Sequence, residues 1–289
     1  MTLDLPVLAA ESRQKLGELL RLREDGVPLA YITGRQEFMS LEYACSSQAL
    51  IPRKETEILG NAVCDLLNRA IPPVEGGLQV LDLCTGSGNL ACAIAVHCPV
   101  SVVFGVDISQ EAIDLAAVNA KQLGCADRVR FSCGDLFEPF DSKGFHHFFA
   151  LIMCNPPYID PSKLSSMSPE IIAHEPRLAF DGGPLGVRVL LRLLHEAPRF
   201  LKPGGWLAFE VGLGQGNGMM RRLSRDARFA KVNGFPDEAG NVRAIVGQFR
   251  GDVPGTSSGE AAVDSEAEKK TVLTDPKSSR VGQAKPSNV

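Results

Sequence analysis

LQVLDLCTGSGNLACAIAV, residues 78–96, decides the fold. Its first six residues are a short apolar run that reads as a buried strand over 78–83. A Gly-rich turn follows, and the small residues after it read as a helix over 88–97. Gly86 and Gly88 carry no Cβ, so the backbone there can approach a ligand at the N-terminus of that helix. The next segment, VVFGVDIS (102–109), is a second strand. It ends in Asp107, placed to accept hydrogen bonds from two ribose hydroxyls. Taken alone, this loop and acid leave three readings open. Gly86, Ser87, Gly88, Asn89, Leu90 and Ala91 also fit the dinucleotide fingerprint G-x-G-x-x-A with an acid about 20 residues on. A tight turn with no ligand is the third.

Two neighbouring features favour S-adenosylmethionine over a nicotinamide dinucleotide. Asp82 ends the first strand just before the loop, where a carboxylate can reach an ammonium group. FSCGDLF (131–137) offers Asp135 and Leu136 at a third strand end, suited to an adenine amine and ring face. In open α/β sheets ligands sit at the carboxyl ends of strands, where strand order reverses. All of these residues fall there.

Outward from this core, β-like runs alternate with helical patterns. Strands are expected at 78–83, 102–107, 128–132, 148–154 and 206–211, and helices at 88–97, 109–123, 185–200 and 214–224. Such alternation implies a parallel sheet covered on both faces. FAKVNGFPDEAGNVRAIVGQF (229–249) reads as two further strands joined by a turn. Upstream, an amphipathic helix is expected over 10–25, with Leu16, Leu19, Leu20 and Leu22 among charged residues. The stretch 27–52 is extended and turn-rich, and a second helix follows it. After Arg250 the composition turns to Ser, Gly, Glu, Lys and Pro, which cannot bury enough surface to offset ordering entropy. The chain therefore divides into an N-terminal helix, hairpin and linker helix (1–72), an α/β domain (73–250) and a disordered tail (251–289).

The fourth strand, HFFALIMC (147–154), runs directly into Asn155, Pro156, Pro157 and Tyr158. Two consecutive prolines fix φ and remove two backbone N–H groups. The corner is stiff, and its carbonyls point outward. The side-chain carbonyl of Asn155 and the backbone carbonyl of Pro156 can each accept a hydrogen bond from an –NH2 group. That would aim the nitrogen lone pair at the methyl carbon of a sulfonium donor, with Tyr158 as an aromatic wall. An amide nitrogen is a poor nucleophile, so orientation and carbonyl dipoles facing the developing positive charge are the available means.

Composition narrows the remaining classes. The net charge is -4, with no basic stripe of the kind nucleic-acid binders present, which argues against nucleic acid as partner. The eight cysteines (45, 64, 84, 92, 98, 125, 133 and 154) form no C-x-x-C pair. They read as reduced core side chains in a reducing compartment. The five histidines (97, 146, 147, 174 and 195) form no H-E-x-x-H or similar ligand set, and no metal is expected. MTLDLPVLAAESRQK at the start has no basic n-region, and no run of 18 apolar residues exists. A cytoplasmic protein without a membrane span is the expectation.

Across residues 28–249 the chain resembles the protein-(glutamine-N5) methyltransferases that modify peptide chain release factors. The resemblance is carried by PLAYITGRQEF, LIPRKETE, DLCTGSG, VDIS, GDLF, NPPYI, HEPRLAF, LKPGGWLAFEVGLGQG and DEAGNVRAIVGQF. IPRKETE is more specific than N-P-P-Y, which also occurs in nucleic-acid amino-methyltransferases. The resemblance implies an α/β fold of the class I S-adenosylmethionine-dependent methyltransferase type. That fold is a Rossmann-like seven-stranded sheet with a small N-terminal helical and hairpin segment for substrate recognition. Residues 155–158 would hold a glutamine amide. Cofactor contacts would come from Asp82, Cys84, Thr85, Gly86, Ser87 and Gly88, from Asp107 and Ile108, and from Asp135, Leu136 and Asn155.

Three departures from the family pattern stand out: Cys84 in place of a loop glycine, Lys54 in place of a proline, and a shorter stretch before IPRKETE. That last departure motivates a second reading, a paralogue that methylates a small-molecule amine, amide or carboxylate. An amino group of a nucleic-acid base is the third substrate class.

Overall fold

Helix α1 (Ala10–Glu24) begins the computed structural model, which describes residues 9–71 and 75–251. Apart from Gly251, the segment expected to be a disordered tail lies outside the described residues. The helix forms where expected, but it buries none of its side chains; Leu16, Leu20 and Leu22 are exposed. Its basic end meets the rest of the chain through an Arg23–Glu170 ion pair at 2.9 Å. A short helix α2 (Leu29–Thr33) stops at Gly34, whose positive φ supplies the left-handed cap. The extended stretch is a hairpin of β1 (Arg35–Phe38) and β2 (Leu41–Ala44), turned by Met39 and Ser40, both at positive φ. Phe38 and Tyr43 are fully buried beneath it. Helix α3 (Thr56–Asp65) then carries Thr56, Leu59, Ala62 and Val63 into the core.

The alternating region forms as read. In chain order it comprises β3 (Leu78–Leu83), α4 (Asn89–His97), β4 (Ser101–Asp107), α5 (Gln110–Gln122), β5 (Val129–Cys133) and β6 (Phe149–Cys154). Two short helices follow, α6 (Pro161–Leu164) and α7 (Pro169–His174), then α8 (Arg188–Glu196), β7 (Leu201–Glu210), α9 (Gly216–Arg225), β8 (Phe229–Pro236) and β9 (Val242–Phe249). The helix expected over 185–200 is trimmed to α8. Leu185 and Gly186 sit at positive φ ahead of it and Pro198 lies beyond it, so single 3-10 turns replace both ends. Strand β7 starts five residues earlier than expected, at Leu201, because its first stretch pairs with Phe149 across an irregularity.

The seven strands form one sheet in the order β5-β4-β3-β6-β7-β9-β8, parallel except for β9. The chain leaves β3 outward through β4 and β5, then returns to β6 on the other side. Strand order therefore reverses between β3 and β6, and the crevice at their carboxyl ends is the place such a sheet offers a ligand. Every residue of β6 is buried, as a central parallel strand requires.

Side-chain alternation divides the core in two. Val80, Met153 and Ala208 face α3 and α4. Leu81, Leu83, Ile152, Cys154 and Phe209 face the layer of α8 and the phenylalanines of 137–149. By the same parity Asp82 and Glu210 point to the α3/α4 side, and so does the position directly after Cys154.

Candidate active site

The carboxyl ends of β3, β4, β5 and β6 open into a cavity of about 460 Å³. One wall is the turn after β3, where Cys84, Gly86 and Gly88 all take positive φ. At Gly88 a side chain is excluded by space as well: a Cβ would lie 2.9 Å from the Cβ of Ala116. Cys84, by contrast, holds a left-handed conformation that costs an L-residue roughly 1–2 kcal/mol. Its half-buried side chain packs on the core below and lies 3.9 Å, sulfur to sulfur, from Cys154.

Asp107 fixes this turn from β4. One carboxylate oxygen accepts from the Gly86 N–H at 2.8 Å and the other from the Ser109 N–H at 3.0 Å. Burial raises its proton affinity, and those backbone donors oppose the rise. A carboxylate has about four acceptor sites, so lone pairs remain for ligand hydroxyls. Ile108, largely exposed, and Leu136, buried at positive φ, complete an apolar slot on either side.

Two of the expected cofactor residues do something different. Asp82 is fully buried and does not line the cavity. Its Oδ2 accepts from the Thr85 hydroxyl at 2.6 Å and from the Ala91 N–H at 3.1 Å, so it braces the turn from beneath. The reason is its depth: it sits one residue short of the end of β3, where Thr85 and Ala91 of the following turn and helix close over it. Asp135 does line the cavity, but both its oxygens accept from Arg192 Nη1, at 3.0 and 2.8 Å. Any role toward an adenine amine is therefore shared with that ion pair.

Burial lifts the Asp82 carboxyl from 3.8 to about 7, against the pull of its Thr85 and Ala91 hydrogen bonds. Between pH of about 4 and about 7 the folded chain thus retains a proton that the unfolded chain has released. The contribution of Asp82 to stability falls as pH rises through that window, by at most about 1.4 kcal/mol per pH unit for one proton. Asp82→Asn is expected to remove this slope, gaining on the wild type as pH rises in denaturant melts. A constant wild-type-to-variant difference across the window would contradict the assignment.

The fourth wall is the corner after β6. Asn155 and Pro157 line the cavity; Pro156 is buried. The Asn155 Nδ2 donates to the Thr56 hydroxyl at 3.1 Å, leaving its carbonyl oxygen for the cavity side. Tyr158 is not the wall expected of it. Its hydroxyl donates to Glu210 Oε1 at 3.1 Å, its ring packs on Gly212, and it lies off the cavity surface. A carboxylate one strand over explains this: β7 ends beside β6, and Glu210 draws the phenol inward.

One contributor carried no local signal in the sequence. Asn119 on α5 is fully buried. It donates to the Ser87 carbonyl at 2.9 Å and accepts from the Ala44 N–H at 2.7 Å, tying the turn to the hairpin. At the mouth, Arg53 pairs with the buried Glu175 at 2.5 Å, and Glu175 also accepts from the Ile51 N–H. That pair fastens the IPRKETE loop to the 175–181 segment, whose Pro176, Leu178 and Ala179 cover the cavity. Glu57 likewise fastens, accepting from the Met39 N–H at 2.8 Å. His147 contacts the Leu201 carbonyl. Among the described residues no cluster of His, Cys, Asp or Glu has the arrangement of a metal site, and no cysteine is in a disulfide. None of the described helices is long and apolar enough to cross a membrane.

Comparison with known proteins agrees with this geometry. A family described as "Methyltransferase domain" matches residues 75–215. The human METTL16 catalytic domain in complex with the MAT2A 3'UTR hairpin 6 aligns with a TM-score of 0.55 at 15% identity, covering 88% of each chain. That likeness bears on the fold alone, and it is the class I methyltransferase fold expected. The release factor glutamine methyltransferase of Gloeobacter violaceus is 35% identical over 81% of this chain and 79% of its own. For that of Geobacter sulfurreducens the identity is 40%, over 72% and 68%. The Bacillus subtilis protein of the same name is 34% identical, over 78% and 77%. A Gly-rich turn braced by two acids, a proline-stiffened corner with an acceptor oxygen facing it, and relatives of this identity and coverage lead to one conclusion: the chain belongs to the release factor glutamine methyltransferase family.

Proposed function

We propose that the chain transfers a methyl group from S-adenosylmethionine to the side-chain amide nitrogen of a glutamine in a peptide chain release factor. The observation that carries this reading is the Asn155 amide, held with its nitrogen toward Thr56 and its oxygen toward the cavity. A substrate –NH2 needs acceptors; the corner supplies one from Asn155 on the cavity wall, and the backbone carbonyl of the buried Pro156 is the second in this reading.

The fit to the cofactor rests on the turn and its neighbours. Gly86 leaves room for it, Gly88 lets the turn pack closely on α5, Asp107 retains lone pairs for ribose hydroxyls, and Ile108 and Leu136 suit the adenine faces. Cys84, Thr85 and Ser87 would add contacts from the turn, and Asp135 from β5. When bound, S-adenosylmethionine supplies a methyl carbon made electrophilic by a sulfonium. The protein's share is to orient the amide, to place carbonyl dipoles against the positive charge that develops on nitrogen, and to exclude water under the 175–181 segment. No strong base is required, because a methylated amide nitrogen sheds its proton readily.

The N-terminal elements, through residue 72, form the substrate-recognition part in this reading, and residues 73–250 the catalytic domain. The free cysteines accord with a cytoplasmic location. Incubation with methyl-labelled S-adenosylmethionine and, separately, purified release factor, total RNA and a metabolite extract tests the assignment. Label is expected in the release factor and lost on Gln→Ala at the modified position. Label confined to low-mass material or to RNA would contradict it.

A further inference from the structure

We propose that Cys84 and Cys154 form an oxidation site: hydrogen peroxide converts the pair to a disulfide, and that bond shuts the cofactor turn. The inference rests on the turn after β3 being the place where S-adenosylmethionine binds. Cys84 lines the cavity from that turn and is half-buried, while Cys154 ends β6 and is fully buried. Both side chains pack in the core layer of α8, and their sulfurs lie 3.9 Å apart. At φ 58° a glycine would sit without strain. The cysteine found there brings a thiol to the cavity wall, which glycine would not.

Sheet register puts the bond within reach. Leu83 pairs with Cys154 in the parallel ladder, and Cys84 is the next residue along. With strands about 4.8 Å apart and a rise of about 3.3 Å per residue, the two Cα atoms stand roughly 6 Å apart. Disulfides most often span about 5.5–6 Å between Cα atoms, with sulfurs about 2 Å apart. Closing the remaining gap disturbs the site from both sides. Cys84 opens the turn that Asp107 holds through the Gly86 N–H at 2.8 Å, and Cys154 immediately precedes Asn155. A bond between them draws the turn toward the proline corner. Misplacement by about an ångström is enough to cost about a hundredfold in rate.

The peroxide completes the redox balance. Burial pushes the Cys154 thiol well up, so oxidation starts at Cys84, the sulfur that the cavity reaches. The Cys84 sulfur attacks one peroxide oxygen and the O–O bond breaks, giving a sulfenic acid and water. The Cys154 sulfur then attacks the sulfenic sulfur. The S–S bond forms, the S–O bond breaks, and the hydroxyl leaves with the Cys154 proton as a second water. The electron pair passes from the thiols to the peroxide. A dithiol reductant reverses the bond by exchange, and transient disulfides of this kind are the ones reducing compartments hold. A cofactor bound on the turn covers Cys84, so the empty protein is the sensitive form.

The test uses the full reduced chain, Cys154→Ala and Cys133→Ser. Each is treated with hydrogen peroxide, with and without S-adenosylhomocysteine, and compared with its own untreated sample. In the wild type, peptide mapping is expected to find residues 84 and 154 linked. Affinity for S-adenosylhomocysteine should fall by about tenfold or more as the preorganised turn is lost. Turnover should fall by about a hundredfold, and dithiothreitol should restore both. S-adenosylhomocysteine present during treatment should slow the linkage. Cys154→Ala should instead carry a sulfenic acid at Cys84, captured by a cyclic dione. Cys133→Ser, which lacks the exposed thiol, should respond as the wild type does. Oxidation that spares the pair overturns the proposal, as does a response lost in Cys133→Ser. A linked pair with unchanged affinity overturns it too. Where Asp107→Ala also leaves that affinity unchanged, the turn is not the cofactor site, and it is the reading beneath the inference that has failed.

Discussion

Asn155→Ala is expected to lower turnover by about a thousandfold while leaving affinity for S-adenosylhomocysteine within about threefold of wild type. The asymmetry follows from where the side chain sits. Its nitrogen is committed to Thr56 at 3.1 Å, and its oxygen faces the cavity, where a substrate nitrogen must be held. Removing the amide takes away an acceptor for the reacting group and part of the dipole opposing its developing charge. Each factor of ten corresponds to about 1.4 kcal/mol, so the expected loss is roughly 4 kcal/mol of transition-state stabilisation. The cofactor's own contacts lie mainly on the turn after β3 and on β4, which the substitution does not touch. Single-turnover rates beside calorimetric binding separate the two effects. A variant that binds the product poorly but turns over bound cofactor at the normal rate would show that Asn155 serves the cofactor instead.

Asp107→Ala is expected to do the reverse. Affinity for S-adenosylhomocysteine should fall by about a hundredfold, consistent with one or two hydrogen bonds to a charged group at roughly 1.5–3 kcal/mol each. Turnover at saturating cofactor should change far less. The carboxylate has two tasks in the structure: it holds the Gly86 and Ser109 N–H groups at 2.8 and 3.0 Å, and it keeps lone pairs for ribose hydroxyls. Asp107→Asn separates them. Asn keeps one acceptor oxygen for the turn, but it presents an NH2 where a hydroxyl hydrogen would point. Unchanged affinity in both variants, measured by calorimetry, would mean that the ribose lies elsewhere.

Much of the catalytic domain was legible because buried parallel strands announce themselves as apolar runs ended by special residues. The strands at 78–83 and 148–154, with their glycine turn and proline corner, formed within one residue of expectation. Short elements behave differently. Helices α6 and α7 have four and six residues and begin with proline. So few residues give no helical period, and none was read there. The exposed leucines of α1 show the opposite limit, since a periodic stripe states a capacity to pack without naming a partner.

At the site, Asp107, Leu136, Asn155 and Gly86 were singled out from position alone, and all four line the cavity. Asp82 and Tyr158 were identified as site residues but given the wrong neighbour. Being at a strand end does not say how deep a side chain lies, and Asp82 is covered by Thr85 and Ala91 while Tyr158 is drawn to Glu210. Counting parity along β7 would have put Glu210 on the same face as Asp82. Thr56 is 99 residues from Asn155 in the chain, and nothing short of the folded sheet brings them together. Asn119, which joins the hairpin to the turn, is of the same kind.

A crystal structure of the chain with S-adenosylhomocysteine and a glutamine-bearing release factor tests the central claim most directly. The glutamine side-chain nitrogen is expected within about 3 Å of both the Asn155 Oδ1 and the Pro156 carbonyl, with its open side toward the product sulfur. A glutamine bound elsewhere on the chain, or an Asn155 amide turned to present its NH2 to the substrate, would contradict the account.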